Sequence, residues 1–161
     1  MYKRQAWALA AKTGDTLQIG GPRGSSLVSD DFDWYLLIGD ETALPSIGRR
    51  LEALRPGVAV TTVLLVETQA DAQDITTQAA WTARWVAREG KVRDDTAMLR
   101  AALQDVTLPA GDGYVWIGCE GATARSLRIY MTETRGHPKA WMKASGYWAA
   151  GDPGAHEKID D

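Results

Sequence analysis

The sequence predicts an α/β fold, a five-stranded parallel sheet in strand order 3-2-1-4-5 with helices on both faces. Three observations carry that expectation. Apolar runs of strand length alternate with stretches of helical spacing, and such alternation builds a parallel sheet covered on both sides. Two joints share one design, a strand that breaks at glycine and passes into a helix, first at Gly39 and again at Gly118. Right-handed crossovers leave few topologies, and two such joints facing one crevice put the first and fourth strands side by side at the switch point.

Met1–Gln5 reads as irregular and Ala6–Ala11 as a short apolar stretch. Thr16–Ile19 alternates and predicts a strand, and Gly20–Ser25 is a glycine-rich, basic loop. A lone strand ahead of a complete βαβ pattern reads as the tail of a preceding domain. Trp34–Ile38 begins the sheet: it is aromatic and branched, and it carries no charge. It breaks at Gly39-Asp40-Glu41-Thr42, and from Ala43 to Leu54 the spacing turns helical, with Leu44, Ile47, Leu51 and Leu54 on one stripe. Free amides and the positive end of the helix dipole can seat a phosphate at this joint, where Gly39 gives backbone room. Asp40 and Glu41 oppose an anion there. On the competing reading, Asp40 or Thr42 caps the helix and Glu41 sits favourably in its first turn.

Arg55-Pro56-Gly57 stops the helix. Val58–Val66 is the second strand and ends at Glu67, a position that binds ribose hydroxyls in dinucleotide folds or is simply a solvated strand end. Thr68–Ala80 is polar loop with a helical turn within Ala70–Ile75. Trp81–Ala87 is the third strand, with helix as the rival assignment. It brings Arg84 and Arg88 near a strand end, where an arginine either grips a 2′-phosphate or stands exposed on a loop. Asp94 or Asp95 caps the helix Thr96–Val106. Tyr114–Ile117 is the fourth strand; Gly118-Cys119-Glu120-Gly121 then leads into the helix Ala122–Thr134, stopped by Arg135-Gly136. Lys139–Ser145 is the fifth strand, closed by Gly146-Tyr147-Trp148, and the tail is polar and loose.

The bulk properties narrow the function classes. A chain of 161 residues, 45% apolar and 24% charged, fits one soluble domain with a sizeable core. A net charge of -3 supplies no general nucleic-acid surface. No apolar run approaches the ~20 residues of a membrane span, and the amino terminus lacks the apolar core of a secretory signal. The single cysteine, Cys119, excludes an internal disulfide and a cysteine-built zinc site. With two histidines, His137 and His156, a histidine-rich metal site is not expected either. A reducing cytoplasm is the expected compartment, and a monomer the expected state.

Several motifs in order resemble one family. They are Gly21-Pro22-Arg23-Gly24-Ser25, Trp34-Tyr35-Leu36-Leu37 with Gly39-Asp40-Glu41-Thr42-Ala43-Leu44-Pro45, Trp85 with Arg88, Leu108-Pro109-Ala110-Gly111-Asp112-Gly113-Tyr114, Gly118 with Glu120, and Ala144-Ser145-Gly146-Tyr147-Trp148. The order is similar to that of the siderophore-interacting proteins, or ferric siderophore reductases, from about Trp7 to Gly151. The resemblance implies the carboxy-terminal, NAD(P)H-binding domain of a ferredoxin-reductase-like flavoprotein. On that reading residues 1–28 are a linker and the last strand of an amino-terminal FAD-binding barrel, 29–151 the NAD(P)H-binding α/β domain, and 152–161 a loose tail. The barrel's Arg-x-Tyr-Thr-type flavin motif is absent from the sequence, so the chain alone is expected to hold FAD poorly and not to turn over.

The implied reaction passes electrons from NADPH or NADH through FAD to ferric iron in a siderophore, and the ferrous iron is released. Carried over residue by residue, Gly39, Asp40, Glu41, Thr42 and Ala43 would line the pyrophosphate and ribose. Gly118, Cys119 and Glu120 would lie by the nicotinamide, and Arg84 or Arg88 would hold the adenosine phosphate. Cys119 departs from the small residue of many relatives, and its simpler reading is a small residue by a turn. Lys143, Tyr147 and Trp148 would point toward the flavin, with Lys143 drawing in an anionic ferric catecholate. No catalytic acid–base residue and no metal ligand is implied. A ferredoxin donor, a non-catalytic nucleotide-binding module and a flavin reductase with another acceptor remain as competing readings.

Overall fold

The computed structural model describes residues 3–18, 28–90, 94–151 and 157–159. The elements are α1 (Lys3–Ala10), β1 (Trp34–Gly39), α2 (Leu44–Ala53), β2 (Ala59–Val66), β3 (Ala80–Ala87), α3 (Asp95–Gln104), β4 (Gly113–Glu120), α4 (Gly121–Ile129), β5 (Met142–Trp148) and β6 (Glu157–Lys158). The sheet runs β3-β2-β1-β4-β5-β6. Its first five strands are parallel in the expected order 3-2-1-4-5. No helix among the described residues is long and apolar enough to cross a membrane.

The central strand shows why a continuous apolar run folds this way. All six residues of β1 are buried, because both faces of a parallel sheet are covered. Leu36 and Ile38 pack with Leu99, Leu103 and Leu127 of α3 and α4. Tyr35 and Leu37 pack with Ile47 and Leu51 of α2 on the opposite face. The helical stripe read from Leu44 to Leu54 is therefore the seam that α2 lays on the sheet.

Several boundaries differ from the sequence expectation. Lys3–Ala10 is helical, so Met1–Gln5 is not irregular throughout. Thr16, Leu17 and Gln18 run without regular structure, and no strand forms over the described part of Thr16–Ile19; Ile19 and the Gly20–Ser25 loop lie outside the described residues. The β2–β3 crossover holds only a short 3-10 turn, Gln69–Asp71, before an extended segment whose Ile75 and Ala79 pack beside α2. The third segment is a strand, not a helix. The helix after β4 ends in a π-helical turn, Tyr130–Thr134; there Arg135 turns back and donates to the carbonyls of Leu103 and Val106, covering acceptors near the end of α3. Lys139–Trp141 is a 3-10 turn, and Tyr147 and Trp148 belong to β5 instead of closing it. The tail is not wholly loose: Glu157–Lys158 pairs antiparallel with Ser145 and Gly146.

Candidate functional site

The two glycine joints meet. Gly39 of β1 stands directly opposite Gly118 of β4, and the Asp40 amide donates to the Gly118 carbonyl at 3.4 Å. Both glycines are there for close internal packing. A Cβ on Gly39 would fall 2.7 Å from the Ala43 Cβ and 2.8 Å from the Gly118 carbonyl oxygen. One on Gly118 would fall 2.4 Å from the Trp116 ring. The missing side chains let α2 start tight against the sheet and let the indole of Trp116 lie across β4.

Asp40 decides the first joint in favour of capping. Its carboxylate accepts from the Thr42 amide at 2.9 Å and from the Thr42 hydroxyl. The second oxygen accepts from the Trp148 indole N–H at 2.8 Å. Asp40 is buried and Ala43 wholly so, and the Ala43 amide donates to the Asp40 carbonyl at 3.0 Å. Amides expected to be free for a phosphate are thus taken at Thr42 and Ala43, and Ala43 itself is packed away under Gly39. Of the five residues expected here, Glu41 and Thr42 reach solvent.

Arg88 lies at the end of β3 with 1% of its surface exposed. Its Nε and one Nη donate to Asp95 at 2.9 and 3.0 Å. Both Nη groups donate to Glu41, and Glu67 stands 3.8 Å away. Burial works against its charge, but the hydrogen-bonded carboxylates of Asp95 and Glu41 outweigh it and hold the proton more firmly than usual. Arg88, expected to hold an adenosine phosphate, here serves two carboxylates with its N–H groups. Arg84, the other arginine expected at the adenosine phosphate, is engaged elsewhere. It reaches away from the rim, to the Ala102 carbonyl at 3.0 Å and to Asp105 at 3.1 Å near the carboxyl end of α3.

The second joint is also capped. Glu120 accepts from the Thr123 amide at 2.8 Å. Its burial raises the carboxyl pKa, but the amides of Thr123, Ala122 and Ala150 more than reverse this and leave it low. Cys119 points into the core on the α3–α4 face and is 1% exposed. Burial, with Asp40 and Glu120 nearby, pushes its thiol far up, so it is an inert packing residue and not a neighbour of the crevice.

A bulge at the end of β5 aims its aromatics. The register slips so that Cys119 faces Gly146 while Glu120 faces Trp148, leaving Tyr147 as the extra residue, and bulges re-aim side chains in this way. The Tyr147 ring lies edge-on to Trp116, and its hydroxyl shares a 3.0 Å hydrogen bond with Ser46. Trp148 reaches Asp40. Both aromatics therefore stand at the mouth between the joints. Lys143 does not: it is exposed and paired opposite Trp116, two residues or about 6–7 Å back from the rim.

The structure thus gathers Gly39, Asp40, Glu41, Thr42, Gly118, Glu120, Tyr147 and Trp148 at one rim, with Arg88 beneath it, and leaves Arg84, Cys119 and Lys143 apart. The part of Ser46 and the pairing of Asp95 with Arg88 were not foreseen. A Ser two positions inside a helix gives no local signal, whereas Asp95 was visible as a helix-start residue only. Among the described residues no cluster fits a metal ion.

Comparison with known proteins follows the same lines. The family model described as Siderophore-interacting protein matches residues 32–151. The NADPH-dependent ferric-chelate reductase of Escherichia coli is 30% identical over 89% of this chain and 55% of its own length. The ferric vibriobactin reductase ViuB of Vibrio cholerae is 29% identical over 65% of this chain and 38% of its own. A crystal structure of a siderophore utilization protein from T. fusca superposes with a TM-score of 0.78 at 32% identity, over 96% of this chain and 57% of that one. The chain spans about half the length of the curated relatives it matches.

Proposed function

The chain belongs to the siderophore-interacting protein family, and from that membership we propose that it is the NAD(P)H-binding domain of an FAD-dependent reductase of ferric siderophores. The observation that carries the proposal is the side-by-side placement of Gly39 and Gly118, with Tyr147 and Trp148 at the mouth between them. Ligands of open α/β sheets bind at such a switch point. The relatives named as ferric-chelate and ferric vibriobactin reductases support the reaction class.

The residues at this rim fit a dinucleotide in part. Thr42 and Ser46 are exposed residues whose hydroxyls bond Asp40 and Tyr147, and Glu41 and Glu67 offer carboxylate acceptors for ribose hydroxyls. The Tyr147 and Trp148 rings are suited to flank a flat nicotinamide. FAD, bound mainly by a flavin domain in cis, would supply the step from hydride to single electrons. This chain's own work is to bind, orient and exclude water, and no side-chain proton transfer is required of it. A cytoplasmic monomer is the expected setting, with the buried thiol of Cys119 in its reduced form.

The test joins this chain to the flavin domain of the Escherichia coli relative and measures ferrous iron captured by ferrozine from a ferric catecholate siderophore. Reduction should need this chain and a reduced nicotinamide; an equal rate from the flavin domain alone would sink the proposal. In the same fusion, Lys143→Glu should lower reduction of the anionic ferric catecholate and spare a small neutral acceptor. Equal loss with both would remove Lys143 from substrate steering.

A further inference from the structure

We propose that Ser46 is a positioning residue for the nicotinamide end of the nucleotide, acting through the ring of Tyr147; the inference rests on the nucleotide-binding reading above and names what sets its aromatic flank. Tyr147 is the extra residue of the β5 bulge, and a bulged residue stands outside the ladder that would otherwise fix its direction. A tyrosine side chain turns about two torsions, and two contacts from other elements bear on them. The ring stands edge-on to Trp116 of β4, with centroids 5.9 Å apart and planes at 85°. The hydroxyl at its far end shares a 3.0 Å hydrogen bond with Ser46 of α2, 101 positions earlier in the chain.

Both supports are themselves held. The Trp116 indole can lie across β4 because Gly118 has no side chain to displace it. Ser46 adjoins the buried Ile47, and Ile47 with Leu51 fixes the face that α2 turns to the sheet. The direction in which Ser46 points follows from that seating. The helix itself asks for no serine here. Alanine is the better helix former, and no side-chain hydrogen bond caps the start of α2. The Ser46 hydroxyl serves Tyr147 as the Asp40 carboxylate serves Trp148, so the stretch from Asp40 to Ser46 anchors the polar ends of both rings at the mouth. A ring already held in its bound direction spares the ligand the cost of ordering it. That gain falls on the flat nicotinamide that Tyr147 would flank, and not on the adenosine end.

The test titrates the 161-residue chain by calorimetry with NADH, with NADPH and with ADP-ribose, which lacks the nicotinamide. Ser46→Ala should weaken whichever reduced dinucleotide binds more tightly by about two- to tenfold, the effect of having to order one free side chain on binding. It should leave ADP-ribose binding and the thermal midpoint unchanged. Tyr147→Phe, which keeps the ring and loses the hydroxyl, should weaken binding by the same factor, and the double variant by no more than either alone. No loss in Ser46→Ala, an equal loss for ADP-ribose, losses that add in the double variant, or a lowered thermal midpoint in Ser46→Ala would overturn the role of Ser46 and leave the nucleotide site standing. Binding of none of the three ligands would overturn the site and the role together.

Discussion

Replacing Arg88 by methionine keeps most of the side chain's bulk and removes its charge. Asp95, 13% exposed, would then lose its cation, while Glu41, 37% exposed, would turn to solvent. Breaking a fully buried ion pair at one partner costs about 3–5 kcal/mol; with Glu41 open to solvent, Arg88→Met should cost less, about 1–3 kcal/mol in urea unfolding, the range of a buried polar group left without its partner. A loss below about 1 kcal/mol would mean the cluster is surface-like in its energetics. His137 makes a second residue-level prediction, of pH dependence. Its ring is buried against Trp34, and its Nε2–H donates to the Trp141 carbonyl at 3.2 Å. Burial lowers its pKa, and the Trp141 carbonyl only partly offsets this, leaving it below the ordinary 6.5. The folded chain therefore takes up a proton less readily than the unfolded one. Stability from this group is complete above pH 6.5 and declines as pH falls from there through the folded pKa. Unfolding midpoints between pH 7.5 and pH 5 should follow that fall, roughly the window in which histidine titrates, and His137→Gln should flatten it.

Along α2, two glycines respond oppositely to the same change. Gly39→Ala, just ahead of the helix, drives a methyl group against Ala43 and the Gly118 carbonyl; neither can retreat without moving backbone, and overpacking of this kind costs about 1–3 kcal/mol. Gly48 lies inside α2, where an added Cβ meets only Ile75 at 3.9 Å. Gly48→Ala should stabilise by about 0.5–1 kcal/mol through helix propensity and the unfolded chain. Thermal unfolding of the two variants checks both signs. Most of these elements were legible because they are local. The stripe Leu44, Ile47, Leu51 and Leu54, and the uncharged run Trp34–Ile38, announce a helix and a strand. The ends were less legible. Gly118, Cys119 and Glu120 look like a turn in sequence and are the last rungs of β4, because β5 continues to pair with them. Thr16–Ile19 has the alternation of a strand, and Thr16–Gln18 find no partner to pair with among the described residues.

At the scale of the molecule, the crossover rules were enough to order five parallel strands from the alternation alone, and the family followed from motifs placed along most of the chain. The side-chain pairings of the rim were not legible in this way. Arg88 and Glu41 stand 47 residues apart, and local pattern carries no information about which of several carboxylates a cation will meet. The sequence put Arg88 near a strand end and left open whether it would be free; folding consumes it. The short antiparallel β6 was hidden for a similar reason, since two polar residues in a tail give no periodicity to read.

The hydrogen bond from Trp148 to Asp40 spans 108 positions in the chain and ends on the carboxylate that holds the first turn before α2. A ring arriving at the mouth and pushing this indole aside would leave one oxygen of Asp40 to water, with the Thr42 contacts as its remaining hold. Occupancy of the pocket and tightness of that turn are then two readings of one event. The amide of Thr42 would exchange its proton with solvent at a rate that reports whether the seat is taken.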